Sequence, residues 1–340
     1  MKPLLKAGLF LIVCTGTLLA AKPLEMYVVD TEGGKAVLLI SPSGETMLVD
    51  AGFPGYNDRD AIRIEEAAKE AGIKKFDYLV VTHYDLDHVN NVPATVARIP
   101  ADTFVDHGPP VVKDPNTLKA VAAYEEVVSK HKRMVVKPGD RIPFGAVDVL
   151  VVTSAFEALK KPAAGGGIPN PSCAETQPLT WPRNNEDVSE NAASVGLLFS
   201  YGKFRMLDLA DLTWNREIEL MCPVNLIGAV DLFMVSHHGH NISNSPALVK
   251  AIQPRVTVMN NGARKMGMPQ AIQLLKALPG VQANYQMHWS ANAPNDNPPD
   301  EYIANLQDTP DGKWLKISVQ DNGTIAVTNG RTGQTKTFSK

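Results

Sequence analysis

Residues 76–88 read FDYLVVTHYDLDH, an apolar run that ends in a cluster of histidine and aspartate. The run Phe76–Thr82 predicts a buried strand. Four potential metal ligands follow it within six positions: His83, Asp85, Asp87 and His88. On leaving the strand, His83 and Asp85 can point one way while Asp87 and His88 turn to the other side. One loop can therefore offer ligands to two adjacent cations.

The ligand types narrow the choice of metal. Imidazole with carboxylate suits zinc, manganese or iron. The three cysteines Cys14, Cys173 and Cys222 match no zinc-finger spacing. Metal chemistry in this chain would therefore use histidine and carboxylate, and we expect one or two Zn²⁺ ions, with Mn²⁺ or Fe as alternatives.

Strand and helix signals surround this loop in both halves of the chain. Three short β-rich runs, Met26–Asp30, Ala36–Ile40 and Thr46–Asp50, suggest a hairpin meander. Apolar residues at helical spacing predict a helix over Asp60–Ala71. The second half of the chain also alternates strand and helix signals, and no linker separates the two halves. This pattern favours one duplicated two-layer domain. Residues 154–190, rich in Gly, Pro and Asn, are the exception and predict a structureless functional lid or mobile insertion.

The ligand loop resembles that of the metallo-β-lactamase-fold hydrolases, whose shared signature is HxHxDH. Here Asp85 replaces the second histidine and gives HxDxDH, which is similar to the hydrolase domain of the ComEC competence proteins and their secreted relatives. The resemblance covers residues 24–330. It implies an α+β fold, a four-layer αββα sandwich, in a single hydrolase domain over residues 22–340.

Three further stretches carry the resemblance. Residues 48–52, LVDAG, match a turn whose aspartate, Asp50 here, buttresses the ligand loop. Residues 207–212, LDLADL, align with the strand end that supplies a metal-bridging aspartate, Asp211. Residues 231–239, DLFMVSHHG, match a later strand whose following histidine is a ligand, which implies His237.

The chain departs from the family pattern at one ligand. No histidine lies between His131 and His237, and Asn191 is the nearby candidate, as in ComEC-like sequences. The resemblance therefore implies a weaker first metal site and a stronger second one. The weaker site comprises His83, Asp85 and Asp211, and the stronger one Asp87, His88, His237 and Asp211.

The other histidines divide by context. His238 is predicted to orient a ligand through its ring N–H or to face substrate. His288 precedes a polar loop and is predicted to contact metal or substrate. His107 is expected to line the opening of the same site, or else to be an ordinary loop histidine. We expect Asp87, which could orient the bridging hydroxide, and His288 to be the catalytic residues.

The N-terminus is typical of a secretory signal peptide over residues 1–21. Lys2 and Lys6 precede an uncharged run of 15 residues, which is shorter than a spanning helix requires; the alternative is an uncleaved anchor. We expect a periplasmic or secreted protein with no stable membrane insertion after cleavage. Cleavage would change the net charge from -3 to -5, with 31 basic and 36 acidic residues remaining. In an oxidising compartment Cys173 and Cys222 could form a disulfide.

These observations together predict a secreted metal-dependent hydrolase. The leading hypothesis is a phosphodiesterase or nuclease that uses a metal-bound hydroxide on a small-molecule, nucleotide or nucleic-acid substrate. A lactone, thioester or β-lactam hydrolase is one alternative. A di-iron redox enzyme, for which the sequence shows no flavin module, and a non-catalytic binding protein are the others. The sequence makes no prediction of oligomeric state.

Overall fold

Two large β-sheets face each other in the computed structural model, which describes residues 21–176, 187–307 and 311–340. Residues 1–20 lie outside the described residues, and with them nearly all of the predicted signal peptide. The strands are β1 Leu24–Val28, β2 Val37–Ile40, β3 Thr46–Val49, β4 Phe76–Val80, β5 Ala101–Asp106, β6 Lys132–Val135, β7 Arg141–Phe144, β8 Val147–Ser154, β9 Glu157–Ala158, β10 Ile168–Pro169, β11 Gly196–Tyr201, β12 Phe204–Asp208, β13 Val224–Asn225, β14 Leu232–Met234, β15 Val256–Met259, β16 Ala283–His288, β17 Ile303–Asn305, β18 Leu315–Val319, β19 Ile325–Asn329 and β20 Thr335–Phe338.

The first sheet has the strand order β20-β19-β18-β1-β2-β3-β4-β5-β6. Strands β1 to β3 form the antiparallel meander that the sequence predicts, and β3 to β6 run parallel. The C-terminal strand β18 pairs with β1, with Leu24 opposite Val319. Both ends of the described chain therefore build the same sheet.

The second sheet has the order β17-β16-β15-β14-β12-β11-β8-β7, and β9 pairs with β8. Strands β12 and β14 to β17 are parallel. Because the carboxyl ends of parallel strands meet at one edge, the loops after β12 and β14 lie beside each other. The loops that carry Asp211 and His237 are these two loops.

Helices cover the outer face of each sheet. They are α1 Arg59–Glu70, α2 Val92–Arg98, α3 Pro115–Val128, α4 Cys173–Thr176, α5 Trp214–Met221, α6 Pro246–Ile252 and α7 Pro269–Lys276, with 3-10 turns at Asn191–Ala193, Ser236–Gly239 and Asp300–Tyr302.

Side chains alternate between the two faces of each strand and so build three buried layers. Met26 and Val28 of β1 join the core between the sheets, whereas Tyr27 packs under the helices of the first sheet. A third core lies between the second sheet and helices α5 to α7. The result is the four-layer αββα sandwich, which confirms the predicted fold class.

The segment 154–190 is more ordered than the sequence predicts. Strand β9 extends the second sheet, and β10 pairs with β13. Cys173 forms a disulfide with Cys222. The described part of the segment is therefore not structureless, which corrects that expectation; residues 177–186 lie outside the described residues, and a lid role stays a prediction.

The helices of the described ranges are short. None of these helices combines the length and apolar composition that crossing a bilayer requires.

Candidate metal centre

Four side chains from three loops converge at the edge where the two sheets meet. Asp87 and His88 come from the loop after β4, Asp211 from the loop after β12, and His238 from the turn after β14. One ligand atom from each lies within 4.8 Å of those of the others. The Nε2 atom of His238 is 3.2 Å from Asp87 Oδ2 and 3.2 Å from Asp211 Oδ2. Two imidazoles and two carboxylates at this spacing form a donor set suited to a divalent transition metal.

The structure places His238 in this cluster, where the sequence interpretation chose His237. Both residues have left-handed backbone conformations, with φ 53° and 52°. His237 Nε2 lies 3.6 Å from Asp211 Oδ2, and its Nδ1 is 3.1 Å from Ser243 Oγ. Because two consecutive left-handed residues abolish the alternation of a strand, the side-chain directions after β14 could not be extrapolated from the strand itself.

A second set of donors adjoins the first. The His83 and His88 rings are 4.0 Å apart, and the buried Nε2 of His83 has no hydrogen-bond partner among the described residues. Asp85 Oδ2 lies 3.7 Å from that nitrogen. The buried Oδ1 atom of Asn191 also has no partner in the described chain. The backbone N–H of Val195 donates to the Thr82 carbonyl at 2.8 Å, which holds the segment after Asn191 beside the ligand loop.

Those atoms are candidate donors for a second cation. A buried polar atom without a partner destabilises a fold unless it binds a proton donor, water or ion. A nitrogen on His83 and an oxygen on Asn191 are both of the donor types that zinc, manganese and iron accept. The residues present therefore fit two neighbouring cations, one of them at the four-residue cluster that contains Asp211.

Asp50 orients His88 and Thr82 in the loop that the resemblance expects it to buttress. Its Oδ2 accepts hydrogen bonds from Thr82 Oγ1 at 2.8 Å and from His88 Nδ1 at 2.9 Å. Its Oδ1 accepts from the Thr82 backbone N–H at 2.8 Å. With Nδ1–H committed to Asp50, Nε2 is the nitrogen of His88 that is directed at the cluster.

The ionisation of the site favours cation binding. Burial, and then the nearby His88, lower the pKa of His83 to about 3. Burial likewise lowers the pKa of His237 to about 4. Both rings are therefore neutral at neutral pH, as ligand imidazoles must be.

The carboxylates respond to their neighbours in two ways. Burial opposes ionisation of Asp87 and Asp211, but the surrounding histidines outweigh it and hold the pKa of each carboxyl well below its usual range. Burial and then the Asp87 carboxylate raise the pKa of Asp85 to about 6. Burial opposes the charge on His88, yet Asp211, Asp50 and Asp87 hold the pKa of that ring well above its usual value. The cluster therefore holds two ionised carboxylates, Asp87 and Asp211, that could bind a divalent cation.

The structure places two further predicted histidines outside the four-residue cluster. His288 Nε2 contacts Asp30 Oδ1 at 2.7 Å and lies 3.9 Å from Glu32 Oε2, in a group that Arg63 also contacts. His107 Nε2 lies 3.2 Å from Glu190 Oε2.

Glu190 also accepts the backbone N–H groups of Val111 and Val112 at 2.7 and 2.9 Å. His107 thus helps to anchor the residue that precedes Asn191.

Sequence reasoning missed a lysine at the site. Lys265, on the loop after β15, contacts the Asp87 carboxylate, and its Nζ donates to the Gly33 carbonyl at 2.7 Å. The same Nζ lies 4.8 Å from the centre of the Phe53 ring, and the side chain is 31% exposed. A lone lysine 177 positions beyond His88 carries no local signal, because only the packing of the two sheets brings it to the ligand loop.

Comparison with known proteins agrees with this geometry. The sequence model described as the metallo-β-lactamase superfamily matches residues 30–165, two-fifths of the chain. The αββα architecture, the His and carboxylate cluster and this match support membership of that superfamily. No curated protein matches the chain in sequence.

Three solved structures illustrate the likeness of fold. CmlA, a diiron β-hydroxylase from Streptomyces venezuelae, has 16% identity and a TM-score of 0.45, with 78% of this chain and 53% of CmlA covered. This chain therefore spans about half the length of CmlA. A diphosphatase from the PhnP family has 13% identity and a TM-score of 0.41, with 87% and 98% covered. A metallo-β-lactamase variant from Cronobacter sakazakii has 14% identity and a TM-score of 0.37, with 67% and 89% covered.

Proposed function

We propose that this chain is a secreted, metal-dependent phosphodiesterase or nuclease-type hydrolase that works with one or two divalent cations, zinc being the first choice. The observation that carries the proposal is the convergence of Asp87, His88, Asp211 and His238 beside the unpartnered Nε2 of His83. Two adjacent donor sets of this kind suit hydrolysis at a phosphorus or carbonyl centre.

The residues divide into two groups of ligands. Asp87, His88, Asp211 and His238 would hold one cation, and His83 with Asp85 and Asn191 would hold the other. Cations bound there would supply Lewis-acid polarisation of the scissile ester and activate water for attack. Asp50 keeps His88 in the tautomer that offers Nε2, and His237 packs against Asp211. Buried neighbours hold these side chains in place before substrate arrives, which lowers the reorganisation that the reaction requires.

A partly exposed lysine ammonium favours an anionic substrate. Lys265 contacts Asp87 and reaches solvent, and the Gly33 carbonyl and the Phe53 ring hold its ammonium in place. A cation bound at Asp87 would compete for the same carboxylate, which frees the ammonium to contact a phosphoryl oxygen. The overall net charge of -3 therefore does not argue against a phosphate substrate, because the positive charge is local.

Secretion is part of the proposal. The disulfide between Cys173 and Cys222 is compatible with an oxidising compartment. Cell fractionation with N-terminal sequencing of the mature protein tests it: we expect a periplasmic or extracellular chain that begins near residue 22. A chain that stays in the cytoplasm with Met1 intact would refute secretion without affecting the metal chemistry.

The function is tested on purified mature protein reconstituted with Zn²⁺, Mn²⁺ or Fe²⁺. Metal content is measured together with hydrolysis of bis-p-nitrophenyl phosphate, single-stranded DNA and a panel of lactones. We expect bound metal and diester hydrolysis, both lost in Asp87→Ala and retained in the exposed control His131→Ala. A protein that binds no transition metal refutes the proposal. Lactone turnover without diester turnover would establish the alternative hydrolase instead.

A further inference from the structure

A buried lysine lies behind the metal centre. Lys35 is in the connection between β1 and β2, and its side chain is 5% exposed. Its Nζ lies 2.5 Å from Oδ1 of Asp208, whose side chain is 4% exposed. Lys35 lies between two strands of the first sheet and Asp208 ends β12 of the second, so the ion pair joins the two halves of the sandwich.

Asp208 shapes the turn that presents Asp211. The Asp208 Oδ1 atom that binds Lys35 also accepts the backbone N–H of Ala210 at 3.0 Å. Ala210 has a left-handed backbone, with φ 50°, and its carbonyl accepts the His237 N–H at 2.9 Å. A non-glycine residue holds this conformation only when its surroundings impose it. The Asp208 carboxylate is one of those constraints, and the residue after Ala210 is the proposed ligand Asp211.

The backbone of Lys35 contacts the opposite side of the centre. Its N–H donates to the Asp87 carbonyl at 3.2 Å, and its carbonyl accepts the Gly52 N–H at 2.9 Å. The preceding residue is Gly34, where a Cβ would lie 2.8 Å from the Asp87 carbonyl. Glycine alone permits this close approach. Lys35 is therefore tied to the Asp87 loop through its backbone and to the Asp211 turn through its ammonium.

We propose that Lys35 and Asp208 are a positioning pair that sets the separation of Asp87 and Asp211, and so determines how tightly the centre binds its cations. The inference rests on the metal centre of the proposed function but on no particular substrate. The proposal predicts the direction in which the affinity for cations changes when Lys35 is replaced. As a bare positive charge, Lys35 would weaken cation binding by repulsion. As a positioning residue it strengthens binding, as residues that orient ligands do.

The test measures metal affinity without substrate. Lys35→Met, Asp208→Asn and the double variant are titrated with Zn²⁺ against a competing chelator, and Co²⁺ absorption reports the coordination geometry. Lys316→Met is the matched control, because it removes a lysine that pairs with Glu25 at 2.9 Å elsewhere on the first sheet. We expect Zn²⁺ affinity to fall about ten- to hundred-fold in Lys35→Met with a changed Co²⁺ spectrum. The control should match the wild type.

The double variant distinguishes an effect on the position of the ligands from an effect on the stability of the fold. Removing both charges leaves no unpaired buried ion, so it should recover the melting temperature that Lys35→Met loses, while its Zn²⁺ affinity stays low. If Lys35→Met does not fold, the double variant alone carries the test. Wild-type or tighter Zn²⁺ binding in any folded variant lacking Lys35 overturns the proposal. A wild-type protein that binds no metal overturns the proposed function itself, whereas metal binding without diester hydrolysis leaves this inference standing.

Discussion

Asp50→Asn is the substitution that most directly tests how this centre is organised. Asp50 is fully buried and accepts three hydrogen bonds, two from Thr82 and one from His88 Nδ1, at 2.8 to 2.9 Å. Asparagine has nearly the same shape but offers one acceptor oxygen and one NH₂ group. If the oxygen faces the Thr82 N–H, the NH₂ faces His88 and favours the tautomer with hydrogen on Nε2. That nitrogen then cannot bind a cation.

The reversed amide is no better for the protein. Its NH₂ group would then face the buried Thr82 N–H, and a buried donor without an acceptor costs about 1–3 kcal/mol. We therefore expect Zn²⁺ affinity to fall about ten- to hundred-fold, which corresponds to about 1.4–2.7 kcal/mol. The free energy of unfolding should fall by a similar amount.

The assay is competition for Zn²⁺ with a chromophoric chelator at pH 7.5, combined with urea unfolding of the metal-free protein. Asp77→Asn is the matched control, because Asp77 Oδ2 accepts from the Thr46 N–H at 2.8 Å and from Thr46 Oγ1 at 3.0 Å, outside the metal cluster. That control should lose stability and keep its Zn²⁺ affinity. Wild-type affinity in Asp50→Asn would refute the assignment of the His88 tautomer.

Three further predictions test separate parts of the site and fold. His238→Ala should lower Zn²⁺ affinity more than His237→Ala. The reason is that His238 Nε2 is 3.2 Å from both Asp87 and Asp211, whereas His237 is 3.6 Å from Asp211 alone. A chelator competition assay that ranks the two variants the other way would contradict this geometry. Lys265→Met should lower kcat/KM for bis-p-nitrophenyl phosphate about ten-fold with unchanged metal content, and Lys265→Arg should retain most activity; equal loss on an uncharged lactone would rule out anion recognition. Burial raises the pKa of Glu217 to about 7 from 4.5, so the folded protein keeps a proton between these pH values that the unfolded chain releases. The contribution of Glu217 to the free energy of unfolding should therefore fall by about 3 kcal/mol as pH rises from 4.5 to 7. In urea unfolding, Glu217→Gln should accordingly gain stability relative to the wild type between pH 5 and pH 7.5.

The local pattern of the chain predicts much of the first sheet. The meander of β1 to β3 and the helix α1 follow from alternation and helical spacing over stretches of 4 to 12 residues. The edge strand β6 has a mixed pattern with exposed Lys132 and Val135, which carries no clear period of two. Alternation identifies a strand only where one face is buried, so partly exposed edge strands escape it.

The metal centre, like the sheet, has a part that the sequence predicts and a part that it does not. His83, Asp85, Asp87 and His88 lie within six positions after a buried strand, so the sequence alone determined that a histidine and carboxylate loop would form and which metals it suits. Spacing this short leaves little freedom in where the loop can lie.

Only the tertiary structure decided which distant groups complete the centre. His238 rather than His237 joins the cluster because two left-handed residues end the strand alternation. His288 lies against Asp30, and Lys35 reaches Asp208 across the interface between the sheets. Such contacts depend on how two sheets pack and on φ angles at single residues, and neither quantity is encoded in the spacing of residues along the chain.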